Sequence, residues 1–184
     1  MQIEDILHKI PARYTVLGTI DGIVGSLATV MGLNAVMAPN NLIVTAGISV
    51  GIGLGISNGF GGFMAERTVE VMKLRKLESA MLRKKGALTK TLLGRSVWKR
   101  LIIDTLTHGG FSFLGALIPV IPFILFTTHF LAGVFAFFAS ILSLFFLGVY
   151  TGHLTKENLI KSGLSMLFVG VLVTLITLVF EFGH

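Results

Sequence analysis

Apolar residues in this chain do not alternate with polar ones, as they would along half-buried strands. Nor are they confined to one stripe per turn, as on the helices of a soluble domain. They run in five long blocks: roughly Tyr14 to Met37, Leu42 to Met64, Leu101 to Phe126, Phe130 to Tyr150 and Leu159 to Phe182. Each block is long enough to cross about 30 Å of hydrocarbon as an α-helix. Pro39-Asn40-Asn41 is a tight-turn signal between the first two. The opening segment 1–13, MQIEDILHKIPAR, is polar and amphipathic. It lacks the layout of a cleaved signal peptide, so nothing is expected to be removed. The pattern predicts an all-α integral membrane protein, with residues 1–184 forming a single five-helix domain.

Composition narrows the choice. Hydrophobic residues make up 53% of the 184 residues and charged residues 13%, about half the charged share of a soluble domain. A soluble fold of this size could not hide so much apolar surface, and a disordered chain would not carry it. With no cysteine, disulfides, thiolate metal sites and cysteine nucleophiles are excluded.

The distribution of charge orients the bundle. Of the fifteen Lys and Arg, Lys9 and Arg13 precede the first block, eleven lie between Arg67 and Arg100, and Lys156 and Lys161 lie between the fourth and fifth blocks. The opposite side has none. The positive-inside rule therefore predicts a cytoplasmic N-terminus, an outside C-terminus and an odd number of spans. In the basic stretch 66–100, Val71, Leu74, Leu77, Met81 and Leu82 keep a helical apolar rhythm opposite Lys and Arg. The expectation is a basic amphipathic helix between the second and third spans, lying on anionic membrane lipid with Trp98 as an interface anchor. Aromatics are not interleaved with the basic residues, so no nucleic-acid partner is expected.

Against this apolar background a few polar residues stand out. Asp21 lies eight residues after Arg13, about 12 Å along a helix. No Lys or Arg within a span neutralises it. A carboxylate at that depth costs at least about 2.5 kcal/mol, so it must bind a cation, hold a proton or line water. Gly18, Gly22 and Gly25 open space around it. In the second span Gly47, Gly51, Gly55 and Gly59 form a ladder that suits close helix packing. Gly59, Gly61 and Gly62 would soften the inner end of that helix, between Asn58 and Glu66, with Glu70 one turn further. Met64 is the sulfur nearest Glu66, soft enough to touch a transition metal. In the third span Asp104 and His108 are one turn apart, a spacing that can hold a metal, relay a proton or simply cap the helix entry. Pro119 and Pro122 predict a kinked or broken helix. His129, His153 and His184 fall at span ends, where water reaches them.

Three runs resemble the vacuolar iron transporter family: Asp21-Gly22-Ile23-Val24-Gly25-Ser26, Gly59-Phe60-Gly61-Gly62-Phe63-Met64-Ala65-Glu66, and 111–123, FSFLGALIPVIPF. The resemblance covers all five spans in order. It implies a five-helix homodimer with a path along the interface between the first helices. It also implies export of ferrous iron, with manganese or other divalent metals as further cargo, in exchange for protons. Asp21 matches the family's first-helix metal-binding aspartate, and Glu66 the glutamate ending the second helix. The short basic stretch stands where the best-known members carry a large glutamate-rich metal-binding domain, so the chain resembles a shorter prokaryotic relative in the plasma membrane. Metal would be cargo, with no permanently bound cofactor. Two other readings compete with the exchanger. One is a non-transporting scaffold whose basic helix binds lipid or a partner, with Asp21 protonated in a dry bundle. The other is an intramembrane enzyme using Asp104, His108 and Ser112. No phosphate loop, nucleophile–base pair or zinc-protease motif supports the last, and a non-enzyme is expected.

Overall fold

The structure is a computed structural model that describes residues 3–182, with side chains for 12–179. The amphipathic face read for 1–13 and the position of His184 therefore lie largely outside the described residues. Five helices form in order, with no strand among the described residues: α1 (Ile3–Ala35), α2 (Asn40–Ala80), α3 (Leu92–Leu125), α4 (His129–Thr155) and α5 (Leu159–Phe182). Each is long and apolar enough to cross a membrane.

Helix α3 is the hub. It packs most extensively on α1 and α2 and also touches α4, while α4 and α5 pair with each other. Small residues let these backbones approach. Gly18 and Gly22 of α1 lie against the His108 and Ser112 backbone of α3, and Gly115 of α3 lies against Thr19. A Cβ at Gly22 would collide with the Ser112 carbonyl oxygen. All four glycines of the ladder face α3: Gly47 meets Val120, Gly51 meets Ala116, Gly55 meets Gly109 and Gly59 meets Thr105. That ladder is the α2–α3 seam, where close approach supplies the van der Waals contact that associates helices in lipid. A core of Val30, Ile43, Val120, Phe123, Ala132 and Ala136 closes the end opposite the basic stretch. There Asn40 Nδ2 donates to the Phe126 carbonyl at 3.1 Å, tying the start of α2 to the end of α3.

Three expectations change in detail. The glycines at 59, 61 and 62 do not break α2, which runs unbroken from Asn40 to Ala80. Gly59 is pressed against α3 and so held helical. Pro119 and Pro122 do not break α3 either. Both are buried, and the packed neighbours hold the backbone through them. Third, the helix of the basic stretch is no separate surface helix: residues 66–80 continue α2 and 92–100 open α3. At 1.5 Å per residue α2 spans about 60 Å, twice the hydrocarbon thickness. It must therefore extend beyond the membrane, and with the start of α3 it forms a helical stem.

The stem is closed by residues 81–91. The buried Glu78 carboxylate accepts the backbone N–H groups of Gly86 at 2.9 Å and Leu88 at 2.8 Å. Gly86 sits at φ +84°, a left-handed conformation that glycine adopts without steric cost. Thr91 then caps α3 by accepting from the Gly94 N–H.

Candidate functional site

The polar residues of the first three helices meet along the α1–α3 groove, on the side nearer the stem. Glycine packing is what allows it. With Gly18 and Gly22 seated on the α3 backbone, the next turns of α1 lay Tyr14 and Asp21 directly beside α3. On α2, the ladder that packs on α3 turns Asn58 and Glu66 towards the same groove.

Two linked clusters result. In the first, Asn58 Nδ2 donates to Asp21 Oδ2 at 3.0 Å and lies 2.9 Å from Ser112 Oγ. The Ser112 hydroxyl donates to the His108 carbonyl at 2.9 Å. His108 Nε2 lies 3.7 Å from Asp21 Oδ2. In the second, the Tyr14 hydroxyl donates to Glu66 Oε1. The Tyr14 and His108 rings join the two, tilted, with centroids 5.5 Å apart.

Glu66 also lines a cavity of about 180 Å³ at the foot of the stem. There Glu66, Glu70 and Asp104 face Arg13, Lys73 and Arg100, with Tyr14 in the wall. Two of the carboxylates already have cationic neighbours. Glu70 pairs with Lys73 at 2.6 Å, and Arg100 Nε lies 3.9 Å from Asp104. Opposed charges of this kind make a water-accepting vestibule in which a cation can exchange for Lys or Arg without leaving bare carboxylates.

Each residue singled out in the sequence thus has a place. Asp21 and Glu66 belong to one polar chain but do not share a cavity: Asp21 is not in the vestibule wall, and the Tyr14–His108 ring pair stands between them. Asn58 holds Asp21. Asp104 and His108, one turn apart, part company, Asp104 facing the vestibule and His108 facing Asp21. Met64 is exposed and outside the vestibule wall. The Ser112 hydroxyl is spent on a carbonyl of its own helix, so it has no base to activate it, and the enzyme reading loses its nucleophile. Among the described residues no three His, Asp or Glu side chains converge to hold a metal ion.

Sequence reasoning missed Tyr14. An aromatic at the edge of a span reads as an interface anchor, and only the fold brings its hydroxyl to a glutamate 52 residues away.

Asp21 carries the most pointed electrostatic demand. Its side chain is 46% exposed on the single chain, at a depth where the surroundings are hydrocarbon unless something polar covers it. Burial against lipid would be costly for the charged form. The arrangement therefore calls for a cation, water or a second polypeptide at this face.

Comparison with known proteins gives the chain relatives. A family model described as the VIT family matches residues 70–181. An uncharacterized protein of the archaeon Methanocaldococcus jannaschii is 35% identical over 170 residues, covering 92% of this chain and 87% of the relative.

Proposed function

Because this chain belongs to the VIT family, the vacuolar iron transporter family that its motifs resemble and whose members are transporters rather than enzymes, we propose that it exports divalent metal cations in exchange for protons. Ferrous iron is the leading cargo and manganese the second. The observation that carries this reading is Asp21, a half-exposed carboxylate at membrane depth whose Oδ2 accepts only a neutral amide hydrogen bond and faces an imidazole. Carboxylate oxygens suit divalent cations, and protons compete for the same oxygens, which couples the two fluxes. Metal would enter from the basic, cytosolic side through the vestibule at Glu66, Glu70 and Asp104. It would displace Tyr14 from Glu66 and pass the ring pair to Asp21. A homodimer with α1 at the interface would cover the exposed Asp21 and bring two such carboxylates together. The membrane would be a prokaryotic plasma membrane, and the distribution of Lys and Arg supports an N-terminus and a stem that both lie inside. The scaffold reading needs a protonated Asp21 in a dry bundle, and membership of a transporter family favours the exchanger over it.

The test is uptake into proteoliposomes holding a metal-sensitive dye under an imposed pH gradient. Wild-type protein should carry Fe²⁺ and Mn²⁺ in a gradient-dependent way. Asp21→Asn should lower the rate at least roughly a hundredfold, equivalent to about 2.7 kcal/mol, and Glu66→Gln should lower it by a comparable factor. Wild-type vesicles that accumulate no divalent metal would sink the proposal.

A further inference from the structure

His108 makes no hydrogen bond through either ring nitrogen, although both atoms are buried. Buried polar atoms are almost always paired, and an exception in a native site points to a missing ion or water. The imidazole is not loosely placed. Its ring lies against Tyr14. Gly62 of α2 leaves the space it occupies, since a Cβ there would stand 3.1 Å from Nδ1. The Gly18 backbone fixes the carbonyl of the same residue from the α1 side. The side chain is only 13% exposed. Its Nε2 looks at Asp21 Oδ2 across 3.7 Å, too far for a hydrogen bond. Two ligands held about 2.1 Å from one metal ion sit about 3.0–3.4 Å apart. The pair is therefore close to the separation that a shared cation requires, and a small rotation of either side chain closes the difference.

We propose that His108 is a metal ligand beside Asp21, and that its nitrogen sets which divalent cations the path accepts. This rests on the reading of Asp21 as the metal-binding carboxylate and adds a residue that determines specificity. A site of carboxylate and amide oxygens takes Mg²⁺, Ca²⁺ and Mn²⁺. An imidazole nitrogen tilts the same site towards Fe²⁺, Co²⁺, Ni²⁺ and Zn²⁺, along the order in which borderline metals gain from nitrogen donors. One chain supplies Asp21 and His108. Asn58, whose amide already touches Asp21, can turn its oxygen inward, and water or the Asp21 of a second copy completes the shell.

Two measurements on the full-length, tag-free protein in lipid decide the matter. The first is pulsed electron paramagnetic resonance of bound Mn²⁺, which reads nitrogen coupling from a ligating imidazole. The coupling should be present in wild type and absent in His108→Gln, a variant that keeps side-chain bulk and offers an oxygen in place of nitrogen. The second is uptake of Co²⁺ relative to Mn²⁺ in proteoliposomes. The ratio should fall roughly tenfold in His108→Gln. Bound Mn²⁺ without nitrogen coupling in wild type, or coupling that survives the substitution, overturns the proposal, as does an unchanged Co²⁺ to Mn²⁺ ratio. Should the variant fail to fold, the wild-type resonance measurement still decides. Nitrogen-coupled Mn²⁺ in a protein that transports nothing would uphold the ligand and retire the transporter. Transport without the coupling would do the reverse, and no bound metal would overturn both.

Discussion

The α4–α5 pair and the α1–α3 groove are both helical and both bury polar side chains, but they treat them in opposite ways. In α4 and α5 the buried Ser140 and Thr174 donate to the carbonyls of Ala136 and Gly170, four residues back on their own helices. Ser140 and Thr174 are thus satisfied locally and ask nothing of their neighbours. In the groove the polar groups reach across helices: Tyr14 to Glu66, Asn58 to Asp21 and to Ser112. The two ring nitrogens of His108 find no hydrogen-bond partner. A membrane protein can carry any number of the first kind as filler. The second kind fixes helix positions and leaves an imbalance that a cation or proton could resolve, and the proposed transport path is built on it.

Changes that separate these two regions should differ in size. The largest structural effect is expected at Gly22. An alanine there would drive its methyl group into the Ser112 carbonyl and against Ala116, and overpacking of this kind costs about 3 kcal/mol. Gly22→Ala should lower the thermal midpoint in detergent by about 5–10 °C. Gly53→Ala, where a Cβ meets nothing within 4 Å, should leave it unchanged or slightly raised. Equal midpoints for the two variants would mean that the α1–α3 approach does not organise the groove.

A smaller effect is expected at Tyr14. Tyr14→Phe keeps the ring against His108 and frees Glu66 from its hydroxyl. Metal then no longer competes with that bond, so the half-saturating metal concentration on the stem side should fall up to roughly tenfold, about 1.4 kcal/mol. An increase would show that the hydroxyl helps to hold metal instead of opposing it. The smallest effect belongs to the other region. Ser140→Ala deletes a donor without orphaning an acceptor, because the Ala136 carbonyl keeps its own helical bond. Its cost should stay near about 0.6 kcal/mol, read as a midpoint shift of only a degree or two with unchanged transport. A large loss at Ser140 would erase the distinction drawn between the two regions.

Much of this was legible in the sequence, for physical reasons that also explain what was not. Five apolar blocks can only be satisfied as five helices in lipid, so element number and type followed from hydropathy alone. The cost of a carboxylate in hydrocarbon made Asp21 conspicuous without any partner in view. The stem was harder. Val71, Leu74 and Leu77 repeat with the helical period whether the helix lies flat on a membrane or continues a span. Periodicity reports which face is apolar and says nothing of the axis direction. Partnerships were hardest. Asp104 and His108 look like a pair at i, i+4, but one lies beside Arg100 and the other beside Asp21, because neighbouring turns of α3 meet different residues of the helices packed on it. Tyr14 and Ser112 carry no sequence signal for their roles, since each role is made by the residue opposite.

The clasp at Glu78 makes the tip of the stem a natural splice point. Helices α2 and α3 are locked to each other below it by the glycine seam, and the joint above it is held by one carboxylate and two nearby amides. Lengthening or trimming the chain between Ala80 and Leu92 would leave the register of every span untouched. A lineage can thus gain or shed a whole extramembrane module at this single seam while inheriting the bundle intact. Relatives with very different stems are expected to share one set of intramembrane residues, and grafting a foreign module onto this tip is a practical engineering route.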